Sequence, residues 1–198
     1  MLPFLAATAI AAGAIFVAEF GDKSQLLVLA FATRHAAAPV VVGIAVAAAV
    51  VQGLSVAVGA TLGAVLPETL IGVVAGLAFL GVAAWTLRAD DDEDVGAVGT
   101  EAVHRRTGPA LAALVAVTFV AGELGDKTML ATFALAARQD PIATWVGATA
   151  GMVGANLVAV AVGRQAGMRL SPRTIRIGSA ALFGVAGVLV LLAAVLGD

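Results

Sequence analysis

The chain has no cysteine and no tyrosine, and only two histidines in 198 residues. The missing cysteines exclude disulfides, thiolate metal sites and thiol nucleophiles together. Charge is scarce too. Asp, Glu, Lys and Arg make up 12% of the chain, against roughly 25% in a soluble domain. No basic patch is interleaved with aromatics, so nucleic acid is excluded as a partner. Neither HExxH nor GxSxG occurs, so the sequence offers nothing for a zinc-dependent or serine hydrolase. It reads as a protein that is not an enzyme and carries no cofactor.

Apolar residues take up the space. They form 61% of the chain, and the mean hydropathy is +1.05. A soluble domain is roughly 45–50% apolar. A fold of this length cannot cover such an excess from water, so the expected solvent is lipid. About 20 apolar residues cross a bilayer core as a helix. Six segments qualify: 4–31, 40–62, 69–87, 111–135, 142–162 and 175–196. The N-terminal stretch lacks a basic leader region and reads as the first span. Pro39, Pro67, Pro141 and Pro172 fall at span starts, where a missing N–H costs least. Trp85 and Trp145 lie near span ends, as interfacial anchors do. The expected fold is therefore an all-α integral membrane protein of six transmembrane helices.

The only long polar stretch, 89–108, separates residues 1–88 from 109–198 and reads as a linker. With the N-terminus outside, eight arginines face inward: Arg34, Arg88, Arg105, Arg106, Arg164, Arg169, Arg173 and Arg176. Arg138 alone faces outward. The positive-inside rule then places both termini outside and the linker in the cytoplasm. A bacterial inner membrane is the expected location, and a homo-oligomer is compatible with the sequence.

The two parts repeat each other at an offset of 104 residues. Glu19, Gly21, Asp22, Lys23 and Ser24 correspond to Glu123, Gly125, Asp126, Lys127 and Thr128. The register continues unbroken through Arg34/Arg138, Gly43/Gly147, Gln52/Asn156, Gly59/Gly163, Gly63/Gly167, Ile71/Ile175 and Phe79/Phe183. Three spans per part is an odd number, so the second part must enter the membrane from the opposite side. The expected architecture is two inverted three-helix repeats, with a site at their interface.

Apart from Arg176 at the start of the last segment, the charges inside the spans are Glu19, Asp22, Lys23, Glu123, Asp126 and Lys127. Each would cost about 2.5–3.5 kcal/mol at the bilayer centre if it faced lipid. They are expected to face each other, water or an ion. On a continuous helix Glu19, Asp22 and Lys23 share one face, as do their counterparts. Four carboxylates and two ammonium groups leave an excess of two negative charges. One divalent cation or two protons would neutralise it, which is the logic of an exchanger.

Oxygen ligands without cysteine favour hard cations such as Mn2+, Ca2+ or Mg2+. Gln52 and Asn156 are candidate amide-oxygen ligands. Ser24 and Thr128 either ligate or bond back to the helix. Gly21 and Gly125 can loosen the helix within each cluster. The stretch 4–33 would be about 45 Å long as one helix, so a break near Gly21 is expected. Gly59/Gly63 and Gly163/Gly167 have the spacing of close helix packing.

The pattern E-x-G-D-K-[ST], present at 19–24 and again at 123–128, resembles the signature of the Gdt family of cation/proton exchangers. The resemblance extends over essentially the whole chain. It implies transport of Mn2+ or Ca2+ against protons, with Glu19, Asp22, Glu123 and Asp126 binding the cation. An exporter of another small cation on a similar scaffold, such as a cationic amino acid, is the alternative. It would be expected to offer a partner for the substrate carboxylate beyond the two lysines.

Overall fold

The computed structural model describes residues 1–19, 24, 25, 28, 31, 32, 35–88, 107–166 and 172–196. Gly21, Asp22, Lys23, Arg34, Gly167, Arg169 and positions 89–106 lie outside the described residues. The described residues form seven helices and no strand. These are α1 (Leu2–Glu19), α2 (Ala37–Val65), α3 (Glu68–Arg88), α4 (Gly108–Glu123), α5 (Lys127–Ala136), α6 (Pro141–Ala166) and α7 (Pro172–Leu196).

Helix is the natural state of such segments in lipid, because it satisfies every backbone N–H and C=O within one span. The helix boundaries follow sequence signals. α6 and α7 begin at Pro141 and Pro172, and α4 carries a proline in its first turn. Asp140 Oδ1 accepts the Ala143 N–H at 2.8 Å, so its side chain caps the start of α6.

The outward faces are apolar. Val42, Val46, Val50, Leu54 and Val58 recur every four residues along α2, each between 46% and 54% exposed. A water-soluble protein does not present such a stripe, whereas a lipid-facing helix does. By length and composition α1 and α2 can each cross a membrane, and α4 with α5 counts as a third, bent span. The chain is a membrane protein with two or three such spans among its described residues.

The inward faces are built from small residues. Ala7, Ala11, Ile15 and Ala18 form the buried side of α1 and pack on α6. α2 packs on α4 and α5, and α3 packs on α7. Two glycines set how closely the helices approach. A Cβ added at Gly43 would collide with the Ala112 carbonyl and Val115; one added at Gly147 would collide with the Thr8 carbonyl and Ala11. Thr8, Ala11 and Gly43 lie 104 positions before Ala112, Val115 and Gly147, so the two contacts use corresponding residues. Gly59 and Gly63 meet the Phe133 and Ala137 carbonyls on and just past α5, the close packing expected of their spacing. Trp145, read as an anchor, also donates its Nε1–H to the Ala49 carbonyl at 2.9 Å and so ties α6 to α2.

The largest departure from expectation is in the fourth segment. Residues 111–135 were expected as one span, but α4 ends at Glu123 and α5 starts at Lys127, bent 79° away. The cause is Gly125, whose φ is +85°. Residues with a side chain rarely adopt that conformation and glycine adopts it freely. The loosening expected at Gly125 is thus a full break, while Gly21, where a break was expected, lies outside the described residues.

Candidate functional site

Glu19 and Glu123 are the last residues of α1 and α4, and both are buried. Each accepts a hydrogen bond from the hydroxyl five residues on. Ser24 Oγ donates to Glu19 Oε1 at 2.6 Å, and Thr128 Oγ1 donates to Glu123 Oε2 at 3.2 Å. The bonds seen run to the side-chain carboxylates of the motif glutamates, a role other than the two expected, ligation or a bond back to the helix backbone. Neither hydroxyl is left to solvent, and each fixes a carboxylate oxygen. The Glu123 carboxylate meets Thr128 in the first turn of α5, where the helix dipole favours negative charge, while its own position at the end of α4 opposes it.

The break corrects the expected geometry of the second cluster. Glu123, Asp126 and Lys127 do not share the face of one helix, because the positive φ of Gly125 separates Glu123 on α4 from Lys127 on α5. Asp126 sits at the N-cap of α5, half-buried, and its side chain makes no capping bond. Its N–H bonds to the Glu123 carbonyl at 3.1 Å. The Gly125 N–H points to Met129 Sδ at 3.4 Å. Lys127 opens α5, half-buried.

The repeat mates Gln52 and Asn156 are both completely buried. Asn156 Nδ2 donates to Glu19 Oε1 at 3.1 Å and to the Met152 carbonyl at 2.9 Å. Two acceptors on one side identify that atom as the nitrogen and turn Oδ1 the other way. Gln52 Nε2 faces Met152 Sδ at 3.6 Å. Neither Gln52 Oε1 nor Asn156 Oδ1 has a hydrogen-bond partner among the described residues. A buried amide oxygen without a partner carries a cost of about 1–3 kcal/mol, and a cation would remove it.

The structure thus joins Glu19, Ser24, Asn156, Met152 and Gln52 in one buried chain of contacts across α1, α2 and α6. It places Glu123, Thr128, Asp126 and Lys127 around the break between α4 and α5. Among the described residues no three acidic or histidine side chains converge. Met152 and Thr132 were not singled out in the sequence. Gln25 is buried and reaches the Ala155 carbonyl at 3.4 Å. Thr132 lies one turn beyond Thr128 on α5, fully buried. Only the four-residue spacing from Thr128 could have pointed to it. Nothing in the repeat marks Met152, whose counterpart is Ala48.

The sequence matches the family described as "Divalent cation/proton antiporter GDT1" twice, over residues 7–94 and 110–198. It is 33% identical over 178 residues to a Vibrio cholerae protein named "Putative manganese exporter", covering 88% of this chain and 85% of that one. It is 31% identical over 195 residues to "Protein PAM71, chloroplastic" of Arabidopsis thaliana, covering 85% of this chain and 52% of that one. The chain therefore spans about half the length of the plant protein. No solved structure matches. Matched in both of its parts, the chain belongs to the GDT1 family of divalent cation/proton antiporters, a family of transporters rather than enzymes.

Proposed function

We propose that the protein exports Mn2+ from the cytoplasm in exchange for protons, with Ca2+ as a second substrate. The observation that carries this reading is the buried chain of Glu19, Asn156 and Gln52 inside an apolar bundle, with two amide oxygens that have no partner among the described residues. In this reading Glu19, Asp22, Glu123 and Asp126 supply carboxylates, and Gln52 and Asn156 add neutral oxygens. Ser24 and Thr128 orient the glutamates. Lys23 and Lys127 balance part of the charge. Gly125 breaks the helix, and Gly21 holds the matching place in the sequence. The named manganese exporter among the relatives supports Mn2+ as the cargo.

The remaining charge supplies the exchange. Four carboxylates and two ammonium groups are neutralised by one dication or by two protons. A site that crosses the membrane only when neutral must therefore swap one for the other. The architecture proposed is six spans in two inverted repeats, 1–88 and 109–198, joined by a cytoplasmic linker, with both termini outside a bacterial inner membrane. The reciprocal contacts of Gly43 and Gly147 support it. So do the lengths of α3, α6 and α7, which are 21, 26 and 25 residues. At 1.5 Å per residue, each reaches across a core of about 30 Å.

Reconstituted protein tests the reading. Proteoliposomes should accumulate Mn2+ when the lumen is more acidic than the bath, and the lumen should become alkaline as they do. Uptake that ignores the pH gradient would leave a channel or uniporter as the better description.

A further inference from the structure

We propose that the Met152 thioether is a specificity-determining ligand that favours Mn2+ over Ca2+ at the transport site. Met152 is completely buried on α6, one turn before Asn156. Both of its acceptor atoms are engaged with the two amides. Its carbonyl oxygen receives Asn156 Nδ2 at 2.9 Å, and its sulfur faces Gln52 Nε2 at 3.6 Å. It therefore lies between the two side chains whose oxygens have no partner among the described residues.

A leucine would fill this apolar space as well as methionine. What leucine could not offer is a polarizable sulfur at the end of an otherwise buried amide. A thioether is a weak hydrogen-bond acceptor, so Gln52 is held only loosely and can turn its oxygen to an arriving cation. That turn frees the sulfur lone pair to face the same cation.

Softness then decides which cation benefits. Ca2+ and Mg2+ take oxygen ligands. Mn2+ shares their preference for oxygen but, as a first-row transition ion, also binds mixed N/O/S sites, most weakly in its series. One sulfur among carboxylate and amide oxygens therefore leaves Ca2+ one ligand short and costs Mn2+ less. The residue 104 positions earlier is Ala48, also completely buried. The sulfur thus comes from one part of the chain only, and the site is asymmetric where its acids are duplicated. This inference rests on the reading that the cation passes among Glu19, Gln52 and Asn156.

Two measurements test it. In proteoliposomes, Mn2+ uptake is measured against Ca2+ and Cd2+ as competitors, in wild type, Met152→Leu and Met152→Cys. Met152→Leu should lose Mn2+ preference over Ca2+ by on the order of tenfold, within the range for loss of one supporting group at a metal site. Cd2+ inhibition should weaken in parallel. Met152→Cys, which restores a sulfur, should keep both ratios near wild type. The second measurement needs no variant. The chain has four methionines and no cysteine, so a sulfur neighbour in the Cd2+ X-ray absorption spectrum of wild-type protein must be a methionine. A sulfur neighbour is expected. Its absence, or unchanged cation ratios in Met152→Leu, overturns the assignment of Met152 while leaving the transport site standing. Wild-type protein that moves no divalent cation would remove the site and this inference together.

Discussion

Gly125→Ala and Gly122→Ala form a matched pair three residues apart. A Cβ at either position would meet no atom within 4 Å, so neither change adds a clash. They differ in backbone alone. Gly122 lies inside α4, whereas Gly125 has φ +85° and ends it. Alanine in the left-handed region costs about 1–2 kcal/mol. Alanine also gains about 1 kcal/mol over glycine in a continuous helix. Together these bias Gly125→Ala by about 2–3 kcal/mol toward closing the break, on the order of a hundredfold in population. A closed break would put Asp126 and Lys127 on the face of Glu123 and turn Thr128, five residues on, away from the carboxylate it now holds. Mn2+ uptake by Gly125→Ala should therefore fall by more than tenfold at equal reconstituted protein, while Gly122→Ala transports normally and unfolds no earlier than wild type. Gly125→Asn, which tolerates the left-handed region better than alanine, should lie between them. Equal uptake by the two alanine variants would refute the claim that the 79° bend holds the site open.

Glu19→Gln and Glu123→Gln should each abolish Mn2+ flux while the protein still inserts and extracts as a folded species, because each removes one acid and keeps its shape. Wild-type flux in either, at equal membrane abundance, would sink the site assignment. Gly147→Val should lower the unfolding midpoint in detergent, since the added side chain meets the Thr8 carbonyl and overpacking costs about 1–3 kcal/mol; an unchanged midpoint would mean that α1 and α6 are not held this closely. A cysteine replacing Gly96 should resist impermeant thiol reagents in intact cells, and ready labelling would reverse the orientation and the direction of transport.

The sequence disclosed the site's inventory better than its shape. Charge inside lipid is costly, so Glu19 and Glu123 stood out, and the 104-residue offset picked out Gln52 and Asn156. All four are buried in the structure. The hydroxyls' bonds to the glutamate carboxylates were not legible, because ligating a cation and bonding back to the helix are equally open to Ser24 and Thr128. The helix faces around the motif were misjudged in the second part. A run with helical spacing gives no measure of φ at Gly125, and one positive φ outweighs the periodicity of its neighbours. Met152 escaped notice because an apolar run makes every methionine resemble filler. Its contacts appear only when α2 and α6 are brought together.

The pattern of packing also bears on how the protein is assembled. Among the described residues, α1 rests on α6, α2 on α4 and α5, and α3 on α7. The main partners of α1, α2 and α3 thus lie after residue 106. In the six-span architecture proposed, a ribosome releases these three helices into the bilayer before any of those partners exists. Insertion and assembly are therefore separate events, with the small-residue faces covered by lipid in the interval. Two chains, 1–88 and 109–198, made together from separate messages, should find each other and recover Mn2+ transport, and neither should do so alone. If the two parts are inverted as proposed, an ancestor encoding a single copy would have needed to enter the membrane in both orientations to build the same bundle.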